Sequence, residues 1–215
     1  VNYFLLANNK DIKQSTIDKL PLNEKTDRLV LFNFLFPLKF DKIKFYLNKI
    51  CVSRERAIQY RINSTLINGI KEYYANIGDI RKYQNLFKEI YFLPCPNNIN
   101  TKTISEEYIN HISLYNFDSH KIKCIDINYD IHKTSEQLNY LIQGKVAEPS
   151  TGVIIYNYLK KIKKIDDSII LVFFNSDLNN NFHDKDWETK YFLNEIEQQK
   201  CLTIDCYNVP DTYNN

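Results

Sequence analysis

Two short stretches of this sequence carry residue types that can act on a ligand: FHDKDWE over 182–188 and EPSTGVIIYNYLKKIKK over 148–164. In the first, His183 has an imidazole that ordinarily titrates near pH ~6.5, so its neutral form can accept a proton at neutral pH. A place just before a helix start disfavours imidazolium, because the N-terminal pole of a helix is positive, and so keeps the ring in the form a general base needs. Glu188, about one turn into that helix, can orient the ring or complement the dipole. In the second stretch, Pro149-Ser150-Thr151-Gly152 reads as a helix start. Its free N–H groups and two hydroxyls suit a phosphate, and Gly152 would let a ligand approach the backbone. Lys160, Lys161, Lys163 and Lys164 complement the negative pole at the other end. Each stretch also has a purely structural reading. Ser150 can be an ordinary N-cap worth about 1 kcal/mol, and His183 a loop residue followed by Asp184 or Asp186 as cap. The residues alone leave both readings open.

The elements that must position these groups alternate along the chain. Strands are predicted at YFLLA (3–7), RLVLFNF (28–34), ICVS (50–53), IYFLPC (90–95), KIKCIDINY (121–129), SIILVFF (168–174) and CLTIDCY (201–207), from short apolar runs bounded by turn residues. Helices are predicted at STIDKL (15–20, stopped by Pro21), DKIKFYLNK (41–49), much of 55–89, SEEYINHISLY (105–115), the stretch after Pro149, and KDWETKYFLNEIEQQ (185–199). On the last of these, Trp187, Tyr191 and Ile196 can face inward. Near-continuous apolar strands in a β-α-β rhythm predict an α/β fold: one Rossmann-like domain over 1–210 with a mostly parallel sheet flanked by helices, and a loose tail over 211–215. Ligands in such folds bind beyond the carboxyl ends of the strands. That rule selects Asn8 and Asn9, Asn33, Ser150-Thr151-Gly152, and the loop beginning at Asn175.

Composition removes several classes of function. With 28 basic and 26 acidic residues in 215, the net charge of +2 gives no global field for nucleic acid. No apolar run reaches membrane-spanning length. The start, VNYFLLANN, lacks the charged region and cleavage site of a signal peptide and reads as a strand. Five cysteines (Cys51, Cys95, Cys124, Cys201, Cys206) are scattered without a C-x-x-C pair, which predicts reduced thiols and no zinc site. DINYD (126–130) has the wrong spacing for a carboxylate cluster.

PSTG opening one helix and H-x-x-x-x-E opening the next, one strand later, resembles the small and very small motifs of animal sialyltransferases. The order and topology are similar to those of bacterial sialyltransferases of glycosyltransferase family 42. The beginning of the chain adds to the likeness: LLANNKDIKQSTIDKLP resembles that family's first strand, Asn-containing turn and short helix ending in Leu-Pro. LVLFNFLF resembles its second strand with a donor-contacting asparagine, here Asn33. FDKIKFYLNKIC resembles the stretch that follows. The likeness touches residues 1–54 and about 145–206. It departs at Asn8-Asn9-Lys10, which carries no glycine. It departs again between Gly152 and His183, where the tyrosines are Tyr156 and Tyr158 on the helix rather than in a lid.

The resemblance implies a sialyltransferase-type GT-A variant that moves sialic acid, or another acidic sugar such as Kdo, from a CMP-activated donor to a hydroxyl of a glycan acceptor, with inversion and without metal or other cofactor. His183 would be the general base and Glu188 its companion. Asn8, Asn9, Asn33, Ser150, Thr151, Gly152 and Asn175 would bind the donor. A bacterial surface glycan, lipooligosaccharide or capsule, would be the product. The protein would work in the cytoplasm, at the inner face of the inner membrane and without a transmembrane segment, and could associate with further copies. A non-catalytic nucleotide-binding or interaction protein on the same fold is the alternative of a different class.

Overall fold

A computed structural model describes residues 1–7, 14–23, 25–32, 49–54, 89–93, 122–124, 137–142, 145–146, 149–175 and 183–213. In chain order its elements are β1 (Asn2–Leu6), α1 (Gln14–Ile17), β2 (Arg28–Phe32), β3 (Lys49–Arg54), β4 (Glu89–Leu93), β5 (Ile122–Cys124), β6 (Leu141–Ile142), β7 (Lys145–Val146), α2 (Thr151–Ile162), β8 (Ser168–Val172), α3 (Lys185–Glu197) and β9 (Leu202–Ile204). The helices expected over 41–49, 55–89 and 105–115 lie outside the described residues.

Seven of these strands form one sheet in the order β5-β4-β3-β2-β1-β8-β9, and every pairing in it is parallel. The chain is thus an α/β protein. From β1 the strands step outward in one direction to β5, then resume on the other side of β1 with β8 and β9. β6 and β7 make a separate antiparallel pair. The register is set by apolar residues on both faces of the central strands. Leu5, Val30, Ile169 and Leu171 pack with Val153, Ile154, Ile155, Tyr156 and Leu159 of α2 and with Phe192 of α3. The alternate residues Phe4, Leu6, Leu29, Leu31, Ile170 and Val172 are buried as well, as expected for parallel strands covered on both sides.

Several boundaries differ from expectation; β9, for one, spans Leu202–Ile204 rather than 201–207. β8 ends at Val172, two residues early, because Phe173 takes a left-handed conformation (φ 58°) while its N–H still reaches the Ile204 carbonyl at 3.0 Å. α1 is a short helix of four residues whose continuation turns at Asp18 and Lys19 before Pro21. Residues 211–213 are anchored rather than loose. Thr203 N–H donates to Thr212 Oγ1 at 3.0 Å, Asp205 N–H donates to Asp211 Oδ1 at 2.7 Å, and Tyr213 meets the ring of Phe4 edge-on at 5.3 Å. No described helix is long and apolar enough to cross a membrane.

Candidate functional site

Parallel strands place all their carboxyl ends on one edge. α2 leads into β8 and α3 leads from β8 back to β9, so both helices begin at that same edge. The order reversal between β1 and β8 makes this edge the topological switch point of the sheet, the position where open parallel sheets ordinarily bind ligands.

Each helix start is built by a cap. Ser150 is extended (φ −62°, ψ 156°), and its Oγ accepts the Val153 N–H at 3.3 Å. Asp184 caps α3 by accepting the Trp187 N–H at 2.9 Å. His183, half-buried, immediately precedes that cap. The structural readings of Ser150 and Asp184 as N-caps are therefore both realised.

What joins the two starts was not visible from spacing. Glu188 Oε1 accepts the Ser150 backbone N–H at 2.7 Å and the Tyr140 hydroxyl at 3.3 Å. The Tyr140 oxygen in turn accepts the Asp184 N–H at 2.6 Å. A continuous path of hydrogen bonds thus runs from the peptide after His183, through Tyr140 and Glu188, to the start of α2. Tyr140 is fully buried and stands edge-on to Trp187, with ring centroids 4.7 Å apart. Burial first, and the Glu188 charge second, push its phenol above the ordinary range, so it stays a proton donor. Glu188 also lies in the first turn of α3, where its charge complements the dipole as expected.

Other expected site residues have structural occupations. Thr151 and Gly152 are buried. A Cβ at Gly152 would stand 3.1 Å from Phe174 Cε1, so that side of the glycine faces an aromatic ring of the chain itself and not an opening for ligand. Asn175 Oδ1 accepts the Tyr207 N–H at 2.7 Å, tying the segment after β8 to the turn after β9. Asn8, Asn9 and Asn33, and the loop over 176–182, lie outside the described residues.

Behind the helix starts, α2 and α3 are locked by a buried carboxylate. Glu195, 4% exposed, accepts the Tyr156 hydroxyl at 2.7 Å and the Lys160 ammonium at 2.5 Å on Oε2, with Lys200 at 3.4 Å from Oε1. Burial opposes its ionisation. The bonds from Lys160 and Tyr156 and the charges of Lys160 and Lys200 outweigh that and hold its carboxyl below the usual range. Asn157 adds a second clasp, accepting the Tyr191 hydroxyl at 2.9 Å. Of the four lysines assigned to the helix dipole, Lys160 therefore has a specific partner. The signal that could have found Glu195 is its spacing, since Glu188, Phe192 and Glu195 follow i, i+4, i+7 and share a helix face.

Cys201 and Cys206 are free and buried, with burial foremost in raising their thiols to about 11 and about 12, which leaves neither suited to nucleophilic attack. Among the described residues, no group of three or more His, Cys, Asp and Glu is placed to hold a metal ion. No family model, no curated protein and no solved structure matches the chain.

Proposed function

We propose that this protein is a sialyltransferase-like glycosyltransferase on a Rossmann-like sheet, transferring an acidic sugar from a CMP-activated donor to a glycan hydroxyl, with His183 as general base. One observation carries the reading: the 2.7 Å bond from the Ser150 N–H to Glu188, which draws the start of α2 against the start of α3 beside His183, at the switch-point edge of the sheet. The two helix N-termini on this edge are proposed to face the donor phosphate, with the Glu188 carboxylate already supplying one negative charge between them, and His183 is proposed as the base that takes a proton from the acceptor. Asn8 and Asn9 directly follow β1 and its Ala7 in sequence and are proposed as further donor ligands, with Asn33 and Asn175. Transfer by direct displacement needs positioning, proton removal and stabilisation of the leaving phosphate, all available from protein groups.

A non-catalytic nucleotide-binding role is the second reading. It is favoured by the Phe174 ring over Gly152 and by the Ser150 hydroxyl already serving α2. Thermal stability with and without CMP, followed by donor turnover in parent and His183→Ala, tests the proposal and separates the two readings.

A further inference from the structure

At the amino edge of the sheet, opposite the site, two acids are buried while most of the neighbouring bases are exposed. Asp27 and Asp167, just before β2 and β8, are 4% and 8% exposed. Both turn inward to accept backbone N–H groups, Asp27 Oδ2 from Asn23 at 2.9 Å and Asp167 Oδ2 from Lys164 at 3.0 Å. The bases of the same turns face outward. Lys25 and Lys164 are exposed, and the Lys163 ammonium bonds the neutral Asp167 carbonyl at 3.0 Å, which leaves its charge uncompensated by that contact. Asp166 is an exposed acid in the turn over 163–167. Because β2 and β8 flank β1, the two turns lie on one edge, about 10 Å apart by strand spacing.

An apolar tip flanks Lys163 and Lys164. Ile165 is 95% exposed and Ile162, at the end of α2, is 45% exposed, although isoleucine is among the residue types most often buried. Two side chains fall far short of the roughly 800 Å² per partner that a stable protein interface requires. A protruding isoleucine with Lys163 and Lys164 on one side, Asp166 on the other and Lys25 on the same edge fits a surface that moulds around it and is negatively charged. We propose that this edge docks on an anionic phospholipid bilayer, with Ile165 and Ile162 entering the headgroup boundary and Lys25, Lys163 and Lys164 facing the phosphates. The docking is independent of the transferase reading, and it turns the carboxyl edge of the sheet away from the bilayer.

Co-sedimentation of the full chain with vesicles tests this. The parent pellets with equimolar phosphatidylglycerol and phosphatidylcholine but not with phosphatidylcholine alone, and high salt releases it. Ile165→Ser weakens vesicle affinity at least about threefold with its thermal midpoint unchanged, because that side chain is exposed. The Lys25→Glu, Lys164→Glu double variant weakens it at least about tenfold, its fold verified by circular dichroism because Lys164 lends charge to the buried Asp167. Absence of pelleting on the anionic vesicles, or binding that neither variant alters, overturns the proposal. Self-association that Ile165→Ser abolishes, with no vesicle binding, overturns it in favour of a contact between copies.

Discussion

The Ser150 backbone N–H and the Glu188 carboxylate meet at 2.7 Å although 38 positions separate them. That contact makes one structural unit of two helix starts that the sequence presents as separate motifs. The same carboxylate oxygen receives the buried Tyr140 hydroxyl, which holds the peptide following His183. Glu188 therefore works at the joint between the helices, and through Tyr140 it is linked to the Asp184 backbone that follows His183.

Removing either end of that joint leaves buried polar groups without partners. Glu188→Ala is expected to cost about 2–3 kcal/mol, since it strands the Ser150 N–H and the Tyr140 hydroxyl together. Tyr140→Phe is expected to cost about 1–2 kcal/mol through the Asp184 N–H. Urea unfolding checks both. The double variant should lose less than the sum, because the two side chains belong to one network.

Gly152 and Phe174 form a packing pair, with 3.1 Å between Phe174 Cε1 and a Cβ at 152. Phe174 has little room to retreat, being 8% exposed and edge-on to Phe192 at 5.1 Å. Alanine ordinarily favours a helix over glycine by about 1 kcal/mol. Gly152→Ala is nevertheless expected to destabilise by about 1 kcal/mol, the clash outweighing the propensity. In a Phe174→Leu background the same change should become neutral or stabilising. Denaturation midpoints of the four proteins provide the check.

Glu195 predicts a defined pH response. Its folded pKa lies below the ordinary value, so its stabilisation is complete above the unfolded pKa near ~4.3 and is lost as pH falls through the folded value. Glu195→Gln should therefore flatten the acid limb of stability below about pH 4.5. At neutral pH it should cost about 2 kcal/mol, less than for a fully buried ion pair because Lys160 and Lys200 are 27% and 45% exposed and can turn to water. Thermal unfolding from pH 3 to 8 measures both effects.

The sheet was legible because its strands are apolar on both faces. RLVLF and SIILV need no alternation to be recognised, and their observed starts at Arg28 and Ser168 coincide with expectation. Where a local backbone choice decided the outcome, apolar content misled. Phe173 continues the hydrophobic run yet turns left-handed and ends β8. Polar composition hid the docking of Asp211, Thr212 and Tyr213 onto β9, which rests on side-chain bonds no periodicity reports. In the site, the motifs located the helix starts and their caps. Tyr140 could not be foreseen, because its role comes from tertiary placement beside Trp187. On α3, Trp187, Tyr191 and Ile196 are expected to face inward, yet the residues buried most deeply are Phe192 and Glu195.

The central claim is that a cytidine nucleotide binds where α2 and α3 begin and that His183 acts on what it carries. Thermal unfolding in CMP, paired with donor turnover by parent and His183→Ala, addresses both halves. At saturating CMP, about 100 times its Kd, the midpoint should rise by roughly 5–10 °C in both proteins. Turnover of the CMP-activated donor should fall at least about 100-fold in His183→Ala alone. A midpoint that CMP leaves unmoved, or a His183→Ala protein as active as its parent, would contradict the account.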